Sequence, residues 1–226
     1  MPAPAVPLPE VTTVGDHDVL VWQLPQPVLA MASAPLGGGM GLRSWVVNVQ
    51  VPLAYGRLDP ADHIQEIVDA LGLSGEGVGF LTAATVRRWT TADESAPESS
   101  SVRVDTTVGI GKPTWAAADE EAEAPVPGTI NIVGVVPRRL ADAALVNAVA
   151  TVTEAKVQAL IDQAVPGTGT ASDAVCILCP ADGEPQPFAG PRSALGAPLA
   201  RAAYGAVAEG VGRFHQEYPE FLDAPG

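Results

Sequence analysis

Three stretches of this chain are apolar with almost no alternation: residues 45–51 (WVVNVQV), 130–136 (INIVGVV) and 174–179 (AVCILC). A strand with one wet face alternates apolar and polar residues, so such runs predict strands covered on both faces. That demands layers on either side of a sheet. Further strand signals lie at residues 19–24, 28–33, 78–83 and 102–109. Helices are expected at 60–71, where Asp59 and Pro60 supply an N-cap and first-turn proline and Gly72 a stop, at 138–164 and at 194–214. The expected fold class is α/β or mixed α+β: one domain over residues 18–216, with a mixed central sheet of buried strands flanked by helices. Residues 1–17 read as a disordered leader and 217–226 as a tail.

Twelve Lys and Arg stand against 26 Asp and Glu, a formal charge of −14. Binding to phosphate backbones or anionic lipid is driven by basic residues, so neither nucleic acid nor a membrane surface is an expected partner. Much of the negative charge falls in residues 90–101 (TTADESAPESSS) and 116–127 (AAADEEAEAPVP), both expected to be exposed loops. No apolar run approaches the ~20 residues that cross a bilayer, and the N-terminus lacks the basic and apolar regions of a secretory signal. A cytoplasmic location follows as an expectation. Cys176 and Cys179 lie three apart on a predicted buried strand, where they face opposite ways, so core cysteines are expected rather than a disulfide or zinc pair.

Several familiar chemistries fail on spacing. Gly111 and Lys112 suggest a phosphate loop, yet position 106 is Thr and Pro113 occupies the slot of the magnesium-binding hydroxyl. Gly75, Gly77 and Gly79 precede a strand rather than join a strand to a helix, which excludes a dinucleotide fingerprint. His17, His63 and His215 are far apart in sequence and read as surface histidines, and no metal site is expected. Within them, the Asp16, His17, Asp18 cluster sits in a turn-like connection.

The helix at 138–164 is more informative. At ~100° per residue, Asn147, Thr151, Glu154, Gln158 and Asp162 fall on one polar stripe, opposite Leu145, Val149, Val152, Ala159 and Leu160. Lys156 lies within the apolar arc, where its ammonium either snorkels past the core edge or enters a pocket as an acid, base or oxyanion donor. Next comes GTGTASD, residues 167–173, a loop whose glycines can free N–H groups for an oxyanion and whose hydroxyls lie beside a carboxylate.

An ordered set of strings then stands out: GGG at 37–39, Asn48 with Val51, Pro52 and Tyr55, LTAA at 81–84, Thr107 with Gly109, GTINI at 128–132, TEAK at 153–156, Thr168 to Asp173 as TGTxxD, and AGP at 189–191. In this order they resemble the adenosylcobinamide amidohydrolase family over residues 28–207. The resemblance implies hydrolysis of the amide that joins aminopropanol to the corrin's propionate arm, giving adenosylcobyric acid for cobamide salvage. The corrinoid is then substrate and not cofactor, and no cofactor is expected; metal dependence and oligomeric state stay open, a homodimer included. Two rivals remain, a non-catalytic corrinoid-binding module and a hydrolase of another amide. For the implied reaction, Asp173 or Glu154 is expected to activate water or the Thr170 hydroxyl, and Lys156 to assist the leaving amine. N–H groups around Gly169 would hold the oxyanion, and Asn48, Thr82, Asn131 and Thr168 would bind the carboxamides of the substrate. On that scheme Glu154→Gln abolishes turnover.

Overall fold

The computed structural model describes residues 6–118 and 128–219. Eight strands and three helices follow one another: β1 (Glu10–Val14), β2 (His17–Ala32), β3 (Gly39–Gln50), α1 (Pro60–Ala70), β4 (Gly77–Thr82), β5 (Thr90–Ala96), β6 (Ser100–Val108), β7 (Ile130–Val135), α2 (Asp142–Asp162), β8 (Ala174–Cys179) and α3 (Gly196–Glu217). The fold class is α/β with a mixed sheet, ordered β4-β3-β2-β8-β7-β6-β5 with β1 added to β2. The β3–β4 and β7–β8 pairs are parallel and the others antiparallel.

This sheet closes back on itself. Asn48 of β3 hydrogen-bonds Asn131 of β7, and Trp22 of β2 reaches Asp105 of β6, although other strands separate each pair along the sheet. The fold-over is made at β2, whose register with β3 shifts between Gln23 and Val28. Pro25 and Pro27 lie in that interval and cannot donate to a ladder, so the strand continues through an irregularity rather than ending. Before the shift β2 pairs with β1 and the C-terminal part of β3; after it, with β8 and the start of β3. The sequence signals at 19–24 and 28–33 are therefore one bent strand.

Four layers result. Val19, Trp45, Val47 and Val49 pack against Ile64, Ile67 and Val68 of α1. Leu20, Trp22, Val46, Phe80, Val133 and Leu178 fill the space between the two halves of the sheet. Ile130, Ile132, Val175 and Ile177 lie under α2 and α3. Neighbouring residues of one strand thus enter different cores, which is why the runs are apolar throughout. Cys176 joins the inner core and Cys179 the helix-facing one; both are free, and burial pushes the Cys176 thiol up to about 12. By length and composition α2 could cross a membrane, but its buried face packs on the sheet and carries Lys156.

Some expectations need correcting. The segment read as a leader contains β1, a Val- and Thr-rich strand joined to β2 by a hairpin, and Arg103 donates to the carbonyls of Val6 and Pro7. Residues 1–5 lie outside the described residues. The acidic stretch 90–101 is a hairpin of β5 and β6 rather than a loop, turned by Glu98 and Ser99 at φ 60° and 57°. It holds through long-range bonds: Thr90 Oγ1 donates to Ala206 O at 2.8 Å and Arg201 pairs with Glu94 at 2.9 Å. Of the second acidic stretch, 119–127 lie outside the described residues, as do 220–226 of the expected tail, while α3 runs on to Glu217.

Candidate active site

Lys156 reaches the end of the sheet from α2, and its Nζ lies 2.5 Å from Asp173 Oδ2 with both side chains nearly buried. Lys156 does not snorkel past the core edge; its ammonium is held against Asp173 among buried residues. The other oxygen, Oδ1, accepts from Thr170 Oγ1 at 2.5 Å and from Ile130 N at 2.9 Å, while Thr170 N donates to Oδ2 at 3.2 Å. One carboxylate thus ties together α2, the 167–173 loop and the first residue of β7. The pair fits because residue 169 is glycine: a Cβ there would stand 2.3 Å from Asp173 Oδ2 and 2.5 Å from Lys156 Nζ. Gly169 O and Thr168 N are spent on Thr114, and the Thr168 hydroxyl accepts from Ala116 N, so Thr168 braces the loop.

Gly128 forms the wall behind this cluster. Its carbonyl accepts from Ser172 Oγ at 3.2 Å and lies 2.7 Å from Thr170 Oγ1, competing with Asp173 Oδ1 for that hydroxyl's single proton, and a Cβ on Gly128 would come 3.0 Å from Gly109 O. On the far side of Gly109 opens a small cleft of about 90 Å³, lined by Leu53, Ala83, Ala84, Val108 and Phe214 among others. That is room for one small group of a ligand, below the usual range for a site that encloses a whole small molecule. Buried and not lining the cleft, Asn48 Nδ2 donates to Thr107 Oγ1 at 2.8 Å, and Asn131 Nδ2 donates to Asn48 Oδ1 and Leu81 O, each at 3.0 Å. Thr82 Oγ1 accepts from Ala84 N at 3.0 Å. Asn48, Thr82, Asn131, Thr168, Gly169, Thr170, Asp173 and Lys156 therefore gather at one end of the molecule, though Asn48, Thr82 and Asn131 are buried and hydrogen-bonded within the protein.

Glu154 does not join them. It is exposed on the opposite side of α2, facing a groove between α2 and α3 with Glu94, Arg201 and Tyr204. Two helical residues from Lys156, it is turned ~200° away, so the two side chains cannot serve one centre. Thr151, placed on the same wet stripe, is buried instead and donates to Ala189 O at 2.9 Å. The polar stripe is covered there by the 189–191 segment.

Sequence reasoning assigned no role to Thr107, Gly128 or Asp105. For Asp105 and Thr107 the available signal was a polar residue inside the predicted strand at 102–109, since such a group must find a partner if that face is covered; Gly128 gave no such signal. Asp105 meets Trp22 Nε1, Thr91 Oγ1 and Arg103 Nε within 3.1 Å, and burial raises its carboxyl pKa. The fold also brings His17 and His63 together, ring centroids 5.0 Å apart, with Tyr55 stacked on His63 and its hydroxyl 3.1 Å from Nδ1. His63 is a buried residue rather than a surface one. Burial first, then Arg57 and His17, lowers the His63 pKa. The unfolded chain therefore binds the proton more readily, and stability is lost as pH falls below the ordinary imidazole value of 6.5. The urea midpoint should drop from about pH 7 to about pH 5, and less steeply in His63→Gln; equal slopes would refute the assignment. Among the described residues no group of three or more His, Cys, Asp or Glu could hold a metal ion.

Comparison with known proteins follows the same lines as the geometry. The family described as adenosylcobinamide amidohydrolase matches residues 6–219. The chain is similar to an adenosylcobinamide amidohydrolase of Halobacterium salinarum, with 39% identity over 103 residues, covering 42% of this chain and 44% of that protein. A relative of the same description from Methanosarcina mazei is 30% identical over 145 residues, 64% of this chain and 66% of its own length. The chain thus spans less than two thirds of the length of either curated relative. The solved PH0078 protein of Pyrococcus horikoshii overlays with a TM-score of 0.48 at 12% identity, covering 94% of this chain and 83% of that one. The match running from residue 6 to residue 219 places this chain in the adenosylcobinamide amidohydrolase family.

Proposed function

We propose that this protein hydrolyses the aminopropanol amide of adenosylcobinamide, releasing adenosylcobyric acid for cobamide salvage. The observation that carries the reading is the family match across residues 6–219. The assembly of Lys156 of α2 with Asp173 and Thr170 of the 167–173 loop supports it chemically. An unactivated amide needs a nucleophile, a proton acceptor for it, and an acid for the departing amine. Thr170 Oγ1, or a water positioned by it, attacks the amide carbonyl and passes its proton to Asp173 Oδ1 along the existing 2.5 Å contact. Lys156 Nζ, with hydrogens to spare beyond its bond to Asp173, stabilises the oxyanion and protonates the leaving nitrogen. Where Thr170 has been acylated, water attacks the ester and restores the hydroxyl. The net change is one water consumed, one C–N bond broken, and a carboxylate and an ammonium formed, with the proton taken by Asp173 passing back to Lys156 along their contact.

The test is to incubate metal-stripped protein with adenosylcobinamide in the dark and follow adenosylcobyric acid by liquid chromatography and mass spectrometry. Product without added metal or nucleotide is the expected result. Retention of the corrinoid without product would replace this reading by a binding module, and neither would remove the corrinoid altogether. Because Glu154 faces away from the cluster, Glu154→Gln should keep kcat within about threefold of the parent, on the usual small effect of surface changes. A fall beyond tenfold would return Glu154 to the chemistry.

A further inference from the structure

We infer that Thr107 and Asn131 form a carboxamide clamp buried behind the Ala84 and Gly109 wall of the cleft, selecting a ligand arm that ends in a primary amide over one that ends in a carboxylate. The starting point is an unfilled hydrogen bond. Asn131 is 3% exposed, and its Oδ1 is buried without a partner among the described residues. The side-chain amide cannot be turned over to cure this, because Nδ2 already donates to two acceptors, Asn48 Oδ1 and Leu81 O. A buried acceptor left in this state calls for a donor from outside the protein.

Thr107 supplies the other half. It stands directly opposite Asn131 in the β6–β7 register, so the two side chains share one face with Cβ atoms about 5 Å apart. Thr107 Oγ1 accepts from Asn48 Nδ2 at 2.8 Å, a bond that leaves the hydroxyl's own proton to donate. An acceptor and a donor side by side are the complement of a carboxamide, whose N–H₂ meets Asn131 Oδ1 and whose C=O meets the Thr107 hydroxyl. A carboxylate has no hydrogen for Asn131 and would set negative charge against that oxygen.

The way in is short. Residues Ala83 and Ala84 on one wall and Val108 and Gly109 on the other line the cleft, and each pair follows closely on a residue that touches the clamp, Leu81 or Thr107. Ala84 lies over Gly109, close enough that a Cβ on Gly109 would stand 3.1 Å from its methyl. An arm no thicker than an amide enters by parting these two small residues. The clamp itself rests on this geometry; that the arm belongs to a corrinoid rests on the proposed function.

Propionamide and propionate separate the two questions, since they share a size and differ in the hydrogens. Titrated into ¹⁵N-labelled protein, propionamide should shift the Asn131 side-chain amide and the Thr107 backbone amide saturably, with propionate at least tenfold weaker. Thr107→Val should lose that preference and Thr107→Ser keep it, the spectrum itself reporting that each variant is folded. No saturable shift, an equal response to propionate, or an unchanged preference in Thr107→Val overturns the clamp and leaves Asn131 Oδ1 to an internal water. Adenosylcobinamide turnover is measured on the same samples. Amide selectivity without turnover would retain the clamp and reject the corrinoid, and turnover without selectivity would do the reverse.

Discussion

Lys156→Met should lower stability by about 3–5 kcal/mol and reduce turnover of adenosylcobinamide on the order of 10²–10⁴-fold. The size of the first effect comes from what is left behind. Asp173 is 13% exposed at its side chain, and without the ammonium its carboxylate stays desolvated with hydrogen bonds alone for compensation. The double variant Lys156→Met/Asp173→Asn removes both charges and should recover a large part of the lost stability while remaining inactive. Urea denaturation of the two single variants and the double closes the cycle. Additive losses would mean that the pair is not coupled, and the ion pair at 2.5 Å would then be a neighbourly contact with no energetic role.

Gly169→Ala should be the second large effect, with a different signature. Every charged group is retained, but the new methyl would sit 2.3 Å from Asp173 Oδ2 and 2.5 Å from Lys156 Nζ, so the pair must part or the loop must move. Overpacking of this kind typically costs about 1–3 kcal/mol. Displacing a reacting group by about 1 Å typically costs on the order of 10² in rate, so kcat should fall about a hundredfold with KM little changed. A variant with parental kcat would show that the Lys156–Asp173 contact is not needed for turnover, and the proposed mechanism would fall with it.

The parts of the fold legible in advance are those whose stability is written into single segments. Residues 45–51, 130–136 and 174–179 are buried on both faces, and nothing but a layered sheet accommodates such runs. β1 and β5 escaped notice because their own residues bury little; Thr90 is fixed by a carbonyl of α3 and Glu94 by Arg201, partners more than a hundred positions away. Residues 19–24 and 28–33 read as two strands, and only the pairing on either side of Pro25 and Pro27 shows that one strand bends instead. The site divides in the same manner. Asp173 and Thr170 share one short loop and were legible together, whereas the separation of Glu154 from Lys156 depends on which face of α2 the sheet covers. The Asn48–Asn131 contact spans the folded sheet, a relation that no local periodicity carries.

The bend in β2 also orders events in time. Its second half has Cys176 to Cys179 as a neighbour in the sheet, so a chain emerging from the ribosome holds Leu29 to Ala32 without that partner until β8 has been made. Until then the inner faces of Leu20, Trp22 and Val46 face an incomplete half-sheet, because Cys176 and Leu178 arrive only with β8 and β8 is what joins β7 to β2. Pairings of such sequence separation close slowly. Cooperative folding of this chain therefore waits for β8, and a fragment stopped before residue 174 would expose an apolar sheet face to its neighbours.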